Sequence, residues 1–390
     1  MDLYYFNPDN EMAIAHGKAG YTPPANVARM SRDLGYLPAY LAGQEDCILL
    51  DEPADARFLE ERREILGIES RTVTLSEAKN LHFHALRPWG WGPRVNGLLD
   101  GIPVDAGGRE GWHPDKKELY SRRTASALLQ LVRDELNLPE SIIPHVASSV
   151  EEVVALSRRH PLVIKSPWSS SGRGVLMTKN SLGRKEEEWL AGALRGQGYV
   201  MVERKLDKII DFALEFWMEA SGDIRYLGLS KFFTGERGNY LANYVGPQAR
   251  IERELEQYGV PRTVQESLAR ASREILGGHY RGPLGIDMLL YRDDEGTRRV
   301  HPCVEINLRY NMGIVALSLA RRHLAPDGEG FFQISRFSRP GEACRACEAR
   351  AAIIQSGRLL SGYLPLTPVR EETRFVAGLT CTEAPRENYR

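Results

Sequence analysis

Alternating apolar and polar positions predict two neighbouring strands in the second half of the chain. Residues 285–291 read Gly-Ile-Asp-Met-Leu-Leu-Tyr, and residues 300–307 read Val-His-Pro-Cys-Val-Glu-Ile-Asn. The sequence Asp-Asp-Glu-Gly at 293–296 lies between them, and aspartate and glycine favour a tight reversal of the chain. The pattern therefore predicts a β-hairpin with one buried face.

The polar face of this hairpin carries three oxygen donors. Because side chains alternate across a strand, Asp287 and Glu305 lie on the face opposite the apolar residues. A turn centred near Gly296 sets Asp287 opposite Glu305, with Asn307 one step along. Two carboxylates and an amide oxygen suit one or two Mg²⁺ ions that already carry phosphate. The alternative is a half-exposed hairpin whose polar face simply meets water.

Short apolar runs at the start of the chain predict a small α/β unit. Residues 3–6 and 47–50 are expected to form strands, and residues 25–34 and 54–66 amphipathic helices. Strands that alternate with helices favour a parallel sheet. Neither a GxGxxG nor a GxxxxGK[ST] motif occurs in this unit, so the usual dinucleotide and P-loop signals are absent. The first predicted domain spans residues 1–115.

A loop of small residues follows an apolar strand that ends at Lys165. The loop contains Ser169, Ser170, Ser171, Gly172 and Gly174. Small residues let backbone N–H groups approach and wrap a phosphate, and the strand orients the charge of the lysine. We therefore expect this loop to bind phosphate. An ordinary hairpin with a surface lysine is the alternative.

Two acidic residues come next along the chain. Glu203 follows the apolar strand at residues 199–202, and Asp211 opens the strand after it. A strand edge with free backbone groups and a nearby carboxylate can hold an adenine, and a later acid can accept hydrogen bonds from ribose hydroxyls. Solvated surface charges are the alternative for both residues.

Composition narrows the class of protein. The chain has 390 residues, of which 42% are hydrophobic and 26% charged, as in soluble globular enzymes of two or three domains. The formal net charge of −1 provides no field that attracts nucleic acid or an anionic membrane. No run of about 18 apolar residues occurs, and the five cysteines do not form a disulfide framework in so long a chain. We expect a cytoplasmic protein with reduced thiols that binds neither nucleic acid nor membranes.

The last segment, residues 326–390, is expected to complete or cover the core and is assigned no chemistry. A helix is predicted over residues 342–355, and it contains Cys344 and Cys347. No second Cys-x-x-Cys or histidine pair lies nearby, so two structural thiols are favoured over a redox or zinc site.

The order of these parts resembles the ATP-grasp superfamily, which includes D-alanine–D-alanine ligase, biotin carboxylase and carbamoyl phosphate synthetase. The matching parts, in order, are Lys165 with its loop, Glu203, Asp211, Asp287 and the segment Glu305-Ile306-Asn307-Leu308-Arg309. The likeness covers roughly residues 116–325, and the Glu-x-Asn-x-Arg piece is most similar to the carboxylase and carbamoyl phosphate branch.

The resemblance implies an α/β fold class, with an N-terminal parallel α/β domain in front of an ATP-grasp fold of two α+β subdomains. The small subdomain, with the phosphate loop, is expected over residues 116–200. The large subdomain, with the metal hairpin, is expected over residues 201–325, and residues 326–390 follow it.

The resemblance also implies how a nucleotide is held. Lys165 would contact the phosphates, and the loop from Ser169 to Gly174 would be a mobile cover over them. Glu203 and the backbone around Lys205 and Leu206 would hold the adenine, and Asp211 the ribose.

The remaining roles follow from the same resemblance. Asp287, Glu305 and Asn307 would bind Mg²⁺. Arg309 would meet the transferred phosphate or an acyl phosphate, and Arg281 is a second candidate for that role.

One phosphate contact of the superfamily has no single counterpart here. It is made by a lysine that opens the helix before the loop strand, and the corresponding region reads DKKELYSRR at residues 115–123. Lys116, Lys117, Arg122 and Arg123 are all candidates for the position.

The resemblance implies an ATP-dependent carboxylate–amine ligase that uses ATP and Mg²⁺. A small carboxylate attacks the γ-phosphate to give an acyl phosphate and ADP, and an amine then displaces the phosphate. Small carboxylates and amines, amino acids and peptides among them, are the expected partners, and a homodimer is left open. The alternatives are a phosphotransferase (kinase) that acts on a small metabolite and a non-catalytic nucleotide-binding module. Arg309 favours the ligase. Lys231, Arg237 and Arg250 are candidates for binding a substrate carboxylate, and an ordinary surface charge is the favoured alternative for each.

Overall fold

The computed structural model describes residues 1–169, 172, 174–179, 181–236, 238–348 and 351–382. The N-terminal part is a parallel sheet with strand order β3-β2-β1-β4 and helices between the strands. Its elements are β1 (Asp2–Tyr5), α1 (Asn10–His16), α2 (Ala25–Asp33), β2 (Cys47–Leu49), α3 (Ala56–Leu66), β3 (Arg71–Val73), α4 (Leu75–Ala78), β4 (Ala85–Pro88) and α5 (Pro93–Leu98). The parallel N-terminal sheet expected from the sequence is confirmed.

A small antiparallel sheet of order β5-β8-β6-β7 follows. Its elements are α6 (Arg122–Val132), β5 (His145–Ala147), α7 (Val150–Ser157), β6 (Leu162–Lys165), β7 (Val175–Met177), α8 (Arg184–Gln197) and β8 (Val200–Arg204). Short 3₁₀ helices lie at Leu37–Tyr40, Pro114–Tyr120 and Glu140–Ile142. Strand β8 continues four residues past the subdomain boundary expected at residue 200.

The rest of the chain builds one large antiparallel sheet of order β13-β12-β9-β10-β11-β14-β17-β16-β15. Its elements are β9 (Asp207–Met218), β10 (Ile224–Thr234), β11 (Tyr240–Val245), α9 (Gln248–Gln257), α10 (Thr263–Leu276), β12 (Gly282–Arg292), β13 (Arg298–Asn307), α11 (Met312–Arg322), β14 (Glu329–Arg336), α12 (Glu342–Glu348), β15 (Ala352–Gln355), β16 (Arg358–Pro365) and β17 (Phe375–Thr382). Residues after 325 therefore extend the sheet that carries the β12–β13 hairpin.

The helix predicted over residues 342–355 is wrong in its second half. Helix α12 ends at Glu348, and Ala352–Gln355 is a strand that pairs with β16. Ser356 and Gly357 have positive φ angles of 51° and 76°, which form the tight reversal between the two strands. This hairpin, rather than a continued helix, connects α12 to the sheet.

One face of the large sheet is apolar and packs against helices α6 and α10. Phe212, Leu214, Ile286 and Leu290 point into this core and are at most 2% exposed. Because strand side chains alternate, the odd-numbered residues of β9 and β12 point to the opposite face. That face is partly covered by α11 and meets the N-terminal part, where Tyr310 N donates to Trp89 O over 2.8 Å.

None of the helices in the described ranges combines the length and the apolar character needed to span a bilayer.

Candidate functional site

The β12–β13 hairpin has the register that the sequence predicts. Asp287 pairs with Glu305, and Gly285 pairs with Asn307, so the three oxygen donors lie on one face of the sheet. The Asn307 amide Nδ2 donates a hydrogen bond to Asp287 Oδ2 over 3.1 Å. The predicted pairing is confirmed.

A further carboxylate, Glu215, lies on the same face. Strand β9 pairs with β12 so that Glu215 is opposite Gly285, and its side chain is buried. Ser230 Oγ donates to Glu215 Oε1 over 2.8 Å, and Asn311 Nδ2 donates to Oε2 over 2.7 Å. Burial raises the pKa of Glu215 to about 7, although these hydrogen bonds and the charge of Arg309 oppose the shift.

Two glycines make room for Glu215, and one of them is a signal that the sequence analysis missed. A Cβ at Gly285 would lie 2.6 Å from Glu215 Oε2, and a Cβ at Gly313 would lie 2.1 Å from Oε1. Both positions must therefore lack a side chain. A glycine inside an apolar strand often marks a close approach by another group, and Gly285 does so here.

The carboxylates of this face fit a bound cation. Burial, together with the charges of Glu305 and Glu215, raises the pKa of Asp287 well above its usual range. Crowded carboxylates of this kind are relieved by a metal ion, and hard oxygen donors suit Mg²⁺. In the described part of the chain, no three His, Cys, Asp or Glu side chains meet closely enough to hold a metal alone. The residues that would hold it are Asp287 and Glu305, with the amide of Asn307 beside them.

Arg122, at the start of α6, contacts this hairpin directly. Its Nη1 lies 2.8 Å from Glu305 Oε2, and both side chains are largely buried. Its Nε donates to Ser166 O over 3.1 Å, and its Nη2 donates to Ser169 Oγ over 3.3 Å. Arg122 therefore connects the β12–β13 hairpin to the serine-glycine loop.

The other three candidates for the same position point elsewhere. Lys116 Nζ lies 2.7 Å from Glu110 Oε1, and Lys117 Nζ donates to Ala15 O over 3.0 Å. The Arg123 guanidinium stacks 3.9 Å from the centre of the Tyr199 ring. Arg122 is thus the member of the predicted set whose side chain enters the site.

The serine-glycine loop lies across the cleft from the hairpin. Gly174 accommodates Ser169, because a Cβ at Gly174 would lie 2.4 Å from Ser169 Oγ. Gly172 has a φ of +74°, and a Cβ there would lie 3.2 Å from Asn239 N in the β10–β11 turn. The predicted Ser170 and Ser171 lie outside the described residues.

Lys165 and Glu203 form an ion pair on the inner side of the small sheet. The Lys165 Nζ to Glu203 Oε2 distance is 2.6 Å, with side chains 7% and 13% exposed. Lys165 Nζ also donates to Val304 O of β13 over 3.4 Å. The lysine predicted to bind phosphate thus spans the cleft between the small and large sheets.

The other residues predicted to bind nucleotide lie where the two sheets connect. Lys205 and Leu206 join β8 to β9, and Lys205 N donates to Pro161 O over 2.9 Å. Asp211 Oδ2 accepts hydrogen bonds from Lys208 Nζ and from Thr234 Oγ1. The roles of all three in nucleotide binding stay predictions.

Arg309 lines the same pocket as Glu305 of the β12–β13 hairpin. Its Nη2 donates to Asn307 Oδ1 over 2.9 Å, and its Nε donates to Glu11 of the N-terminal part. A single pocket is lined by Glu11, Arg122, Ser169, Glu305 and Arg309, among others. From the sequence, the loop at residues 7–11 could line a substrate cleft, although an ordinary turn was the favoured interpretation; the pocket contains Glu11 of that loop.

Arg281 does not share this position. It lies six residues before Asp287, which along a strand corresponds to roughly 20 Å. Its Nη1 donates to Gly107 O. Arg281 is thus separated from the hairpin oxygens, although it lines a neighbouring cavity with Arg309.

The candidates for binding a substrate carboxylate are engaged with acidic residues. Lys231 Nζ lies 2.6 Å from Glu254 Oε1, and Arg250 pairs with Glu329. Arg237 lies outside the described residues. Neither Lys231 nor Arg250 lines the pocket that holds Arg309.

Comparison with known proteins identifies the fold. No family model matches the sequence, and no curated protein sequence is significantly similar to it. Biotin carboxylase from Campylobacter jejuni, solved as a β,γ-ATP complex, has a TM-score of 0.55 at 12% identity, over 98% of this chain and 87% of that one. The chain has the ATP-grasp fold.

Two further ATP-grasp structures agree. The biotin carboxylase domain of Hydrogenobacter thermophilus 2-oxoglutarate carboxylase, a dimer solved with MgADP, ADP and bicarbonate, has a TM-score of 0.50 at 12% identity, over 98% of this chain and 86% of that one. Pyruvate carboxylase from Rhizobium etli has a TM-score of 0.55 at 12% identity, over 97% of this chain and 35% of that longer one. The ATP-grasp fold therefore extends over nearly the whole chain, including residues after 325.

Proposed function

We propose that the protein is an ATP-dependent carboxylate–amine ligase. It activates a small carboxylate as an acyl phosphate and joins it to an amine, with release of ADP and phosphate. The observation that carries this proposal is a pocket that Arg122, Ser169, Glu305 and Arg309 line together. Asp287 and Asn307 lie beside Glu305 on the same face of the β12–β13 hairpin, and Lys165 reaches the backbone of that hairpin at Val304.

The nucleotide phosphates are bound by cations and small residues. Lys165 and Arg122 supply positive charge, and Ser169 and Gly174 allow the loop backbone to come close to the phosphates. Asp287, Glu305 and Asn307 would hold Mg²⁺, which would supply positive charge to the transferred phosphate.

Arg309 receives the carboxylate substrate. Its guanidinium is held in place by Asn307 and Glu11, so it attracts an anion without first being ordered. Transfer between two anions depends mainly on charge neutralisation and in-line positioning. A carboxylate oxygen forms a bond to the γ-phosphorus as the bond to the β,γ-bridging oxygen breaks. The amine nitrogen then bonds to the acyl carbon, phosphate leaves, and the nitrogen loses a proton.

The similar structures support the acid-activating role. Two of them contain an adenine nucleotide, and one of these also contains bicarbonate, which is a small oxyacid. The kinase alternative shares the nucleotide site and differs in its product.

The test is ATP turnover with Mg²⁺ and a panel of small carboxylates in the presence of hydroxylamine. Hydroxylamine captures an acyl phosphate as a hydroxamate without the natural amine. Hydroxamate that matches the ADP formed supports the ligase and identifies the acid. ADP with a stable phosphorylated product and no hydroxamate contradicts it in favour of a kinase.

Glu305→Ala tests the metal assignment in the same assay. We expect turnover to fall at least about a hundredfold, because a lost metal contact leaves transition-state charge unneutralised. Glu188→Ala is the control, since Glu188 is an exposed residue of α8. Circular dichroism should show both variants folded, and unchanged turnover in Glu305→Ala would remove Glu305 from the metal site.

A further inference from the structure

A cavity of about 250 Å³ lies at the end of the N-terminal sheet. Strands β1 and β2 end at Tyr5 and Leu49, which line it, and the other walls are residues of α2 and of the segment 368–373 between β16 and β17. We call it the sheet-end pocket. In open α/β sheets, ligands bind in the crevice outside the carboxyl ends of the strands. Among the described residues, none lines both this cavity and the pocket that Glu305 and Arg309 line.

The size of the sheet-end pocket suits a small metabolite. Pockets for drug-sized ligands measure roughly 300–1,000 Å³, so a cavity of about 250 Å³ takes a molecule of amino-acid size more readily than a nucleotide. Its lining combines the apolar Leu50 and Pro53 with the hydroxyls of Ser31 and Thr373. The pocket therefore suits a polar ligand that has an apolar part.

Asp51, two residues past the end of β2, is a carboxylate without an ion-pair partner in the described part of the chain. Tyr5 Oη donates to Asp51 Oδ1 over 3.0 Å. Arg94 interacts with Asp51 at longer range, but its Nη1 is paired with Asp9 Oδ1 at 3.3 Å. Asp51 Oδ2 is therefore available to an ammonium group of a ligand.

Arg32 of α2 offers the opposite charge in the same pocket. Its Nη1 lies 3.2 Å from Glu52 Oε1, and the two side chains are 45% and 56% exposed, so this ion pair contributes little stability. Nε and Nη2 make no hydrogen bond to any described residue, and together they form the guanidinium edge that matches both oxygens of a carboxylate. Because Glu52 follows Asp51 in the chain, its contact with Arg32 brings the two opposite charges to the same part of the pocket.

The other charges that line the sheet-end pocket are engaged by the protein. Arg29 Nε lies 2.9 Å from Asp33 Oδ1, and Arg370 Nη2 lies 3.0 Å from Asp55 Oδ2. Glu372 is exposed, and its charge interacts with that of Arg370. A ligand with one ammonium group and one carboxylate therefore satisfies the charges that remain.

We propose that the sheet-end pocket binds a free α-amino acid, with its ammonium group on Asp51 and its carboxylate on the Nε–Nη2 edge of Arg32. This site goes beyond the proposed ligase activity and does not depend on it. Because the pocket is formed by the N-terminal sheet and by residues 368–373, a bound amino acid connects the first and last parts of the chain.

Isothermal titration calorimetry of the full chain with the standard amino acids, in the absence of nucleotide, tests the proposal. The amino acid that binds most tightly is then compared with two analogues, its des-amino acid and its α-carboxamide. The proteins are the wild type, Asp51→Asn and Arg32→Met, with Asp294→Asn and Arg184→Met as matched controls. Asp294 and Arg184 are suitable because their side chains are 74% and 92% exposed and do not line the pocket.

In the wild type, each analogue should bind about tenfold or more weakly than the amino acid, because each lacks one charge-assisted contact. Asp51→Asn should remove the preference for the ammonium group and keep the preference for the carboxylate. Arg32→Met should do the reverse. The two controls should keep both preferences, and circular dichroism should show that every variant is folded.

An amino acid can also bind as a substrate at the candidate active site, and Arg309→Lys separates that case. We expect this variant to bind the amino acid as tightly as the wild type does. Weaker binding in Arg309→Lys with unchanged binding in Asp51→Asn would overturn the inference and agree with the ligase proposal.

Two other results would also overturn the inference. One is that no amino acid binds the wild type, and the other is that Asp51→Asn and Arg32→Met keep the preferences of the wild type. The hydroxylamine assay decides the ligase proposal separately in either case, because it measures acyl phosphate formation rather than binding at the sheet-end pocket.

Discussion

Arg122 and Arg123 are neighbours in sequence with opposite surroundings. Arg122 is buried against Glu305 and Ser166 O, whereas Arg123 stacks on Tyr199. We expect Arg122→Met to raise the KM for ATP about tenfold or more, because a buried charge-assisted phosphate contact is lost. Arg123→Met is the matched control, and its KM should stay near that of the wild type. Equal KM values in steady-state assays of the two variants would contradict this role for Arg122.

Glu215 makes stability depend on pH. Its pKa is raised to about 7 in the folded protein, so the folded state holds the proton more tightly than the unfolded state does. The free energy of unfolding of the wild type should therefore fall as the pH rises from about 4.5 to about 7. Above that range the whole decrease, on the order of 3 kcal/mol, should be present.

Glu215→Gln isolates this effect, because glutamine does not ionise and still reaches Ser230 and Asn311. We expect the difference in free energy of unfolding, variant minus wild type, to be larger at pH 8 than at pH 5. Urea denaturation at the two pH values measures the difference. A difference that does not change with pH would show that Glu215 is not the group responsible.

At the residue scale, the sequence predicted those contacts that follow from side-chain alternation along a strand and from one turn. Asp287, Glu305 and Asn307 share a face because two strands and one reversal impose it. Glu215 was not predicted, since it lies within an apolar run and its partner Asn311 is 96 residues away. Only the fold brings those two side chains together.

At the element scale, α11 packs closely on the polar face of the large sheet. A Cβ at Gly313 would lie 2.1 Å from Glu215 Oε1 and 2.5 Å from Ser230 Oγ. Gly313→Ala should therefore lower the free energy of unfolding by about 2 kcal/mol, because the added methyl would displace the buried Glu215 carboxylate and the Ser230 hydroxyl from their hydrogen bond.

Gly192→Ala is the matched control. Gly192 also lies in a helix, α8, and a Cβ there would meet nothing within 4 Å. Alanine should stabilise that helix by up to about 1 kcal/mol. Thermal or urea melts of the two variants should therefore move in opposite directions, and shifts of the same sign would contradict this account of Gly313.

The elements after residue 325 show where local pattern stops being informative. Strand β14 is added to the sheet beside β11, with Ala242 opposite Gln333, and no local signal specifies a partner so distant in sequence. The same limit explains the wrong second half of the helix over residues 342–355. Residues 352–355 form a strand because they pair with β16. The prediction of a helix rested only on residues close in sequence.

At the scale of the whole molecule, ligand binding should stabilise the fold through the cleft between the two antiparallel sheets. MgATP at a hundred times its Kd should add about 2.7 kcal/mol to the free energy of unfolding. Asp287→Asn should lose the part of the melting-temperature shift that depends on Mg²⁺. The measurement is a thermal melt with ATP, with and without EDTA.

Asp294→Asn provides the comparison for that melt. Asp294 lies in the turn of the same hairpin with a side chain that is 74% exposed, so its loss should leave the Mg²⁺-dependent shift intact. If the wild type and Asp287→Asn respond equally to EDTA, the hairpin does not bind the metal.

The overall architecture was predictable because the parts occur in an order that few folds share. The contact between the N-terminal part and the site could not be predicted. Glu11 and Arg309 are 298 residues apart, and the loop that contains Glu11 has no periodic pattern. Its asparagine and aspartate side chains are also common in ordinary turns.

The 2.8 Å ion pair between Arg122 and Glu305 links the two expected ligands energetically. If Glu305 binds Mg²⁺ through Oε2, as proposed, the metal would compete with Arg122 for that oxygen, and the released guanidinium would be available to a phosphate. Whichever ligand arrives first bears the cost of separating the pair, and the second does not. Thermodynamic reciprocity then requires Mg²⁺ to increase the affinity for the nucleotide by the same factor as the nucleotide increases the affinity for Mg²⁺. On the proposed assignments, the ion pair would favour the metal–nucleotide complex over either component alone.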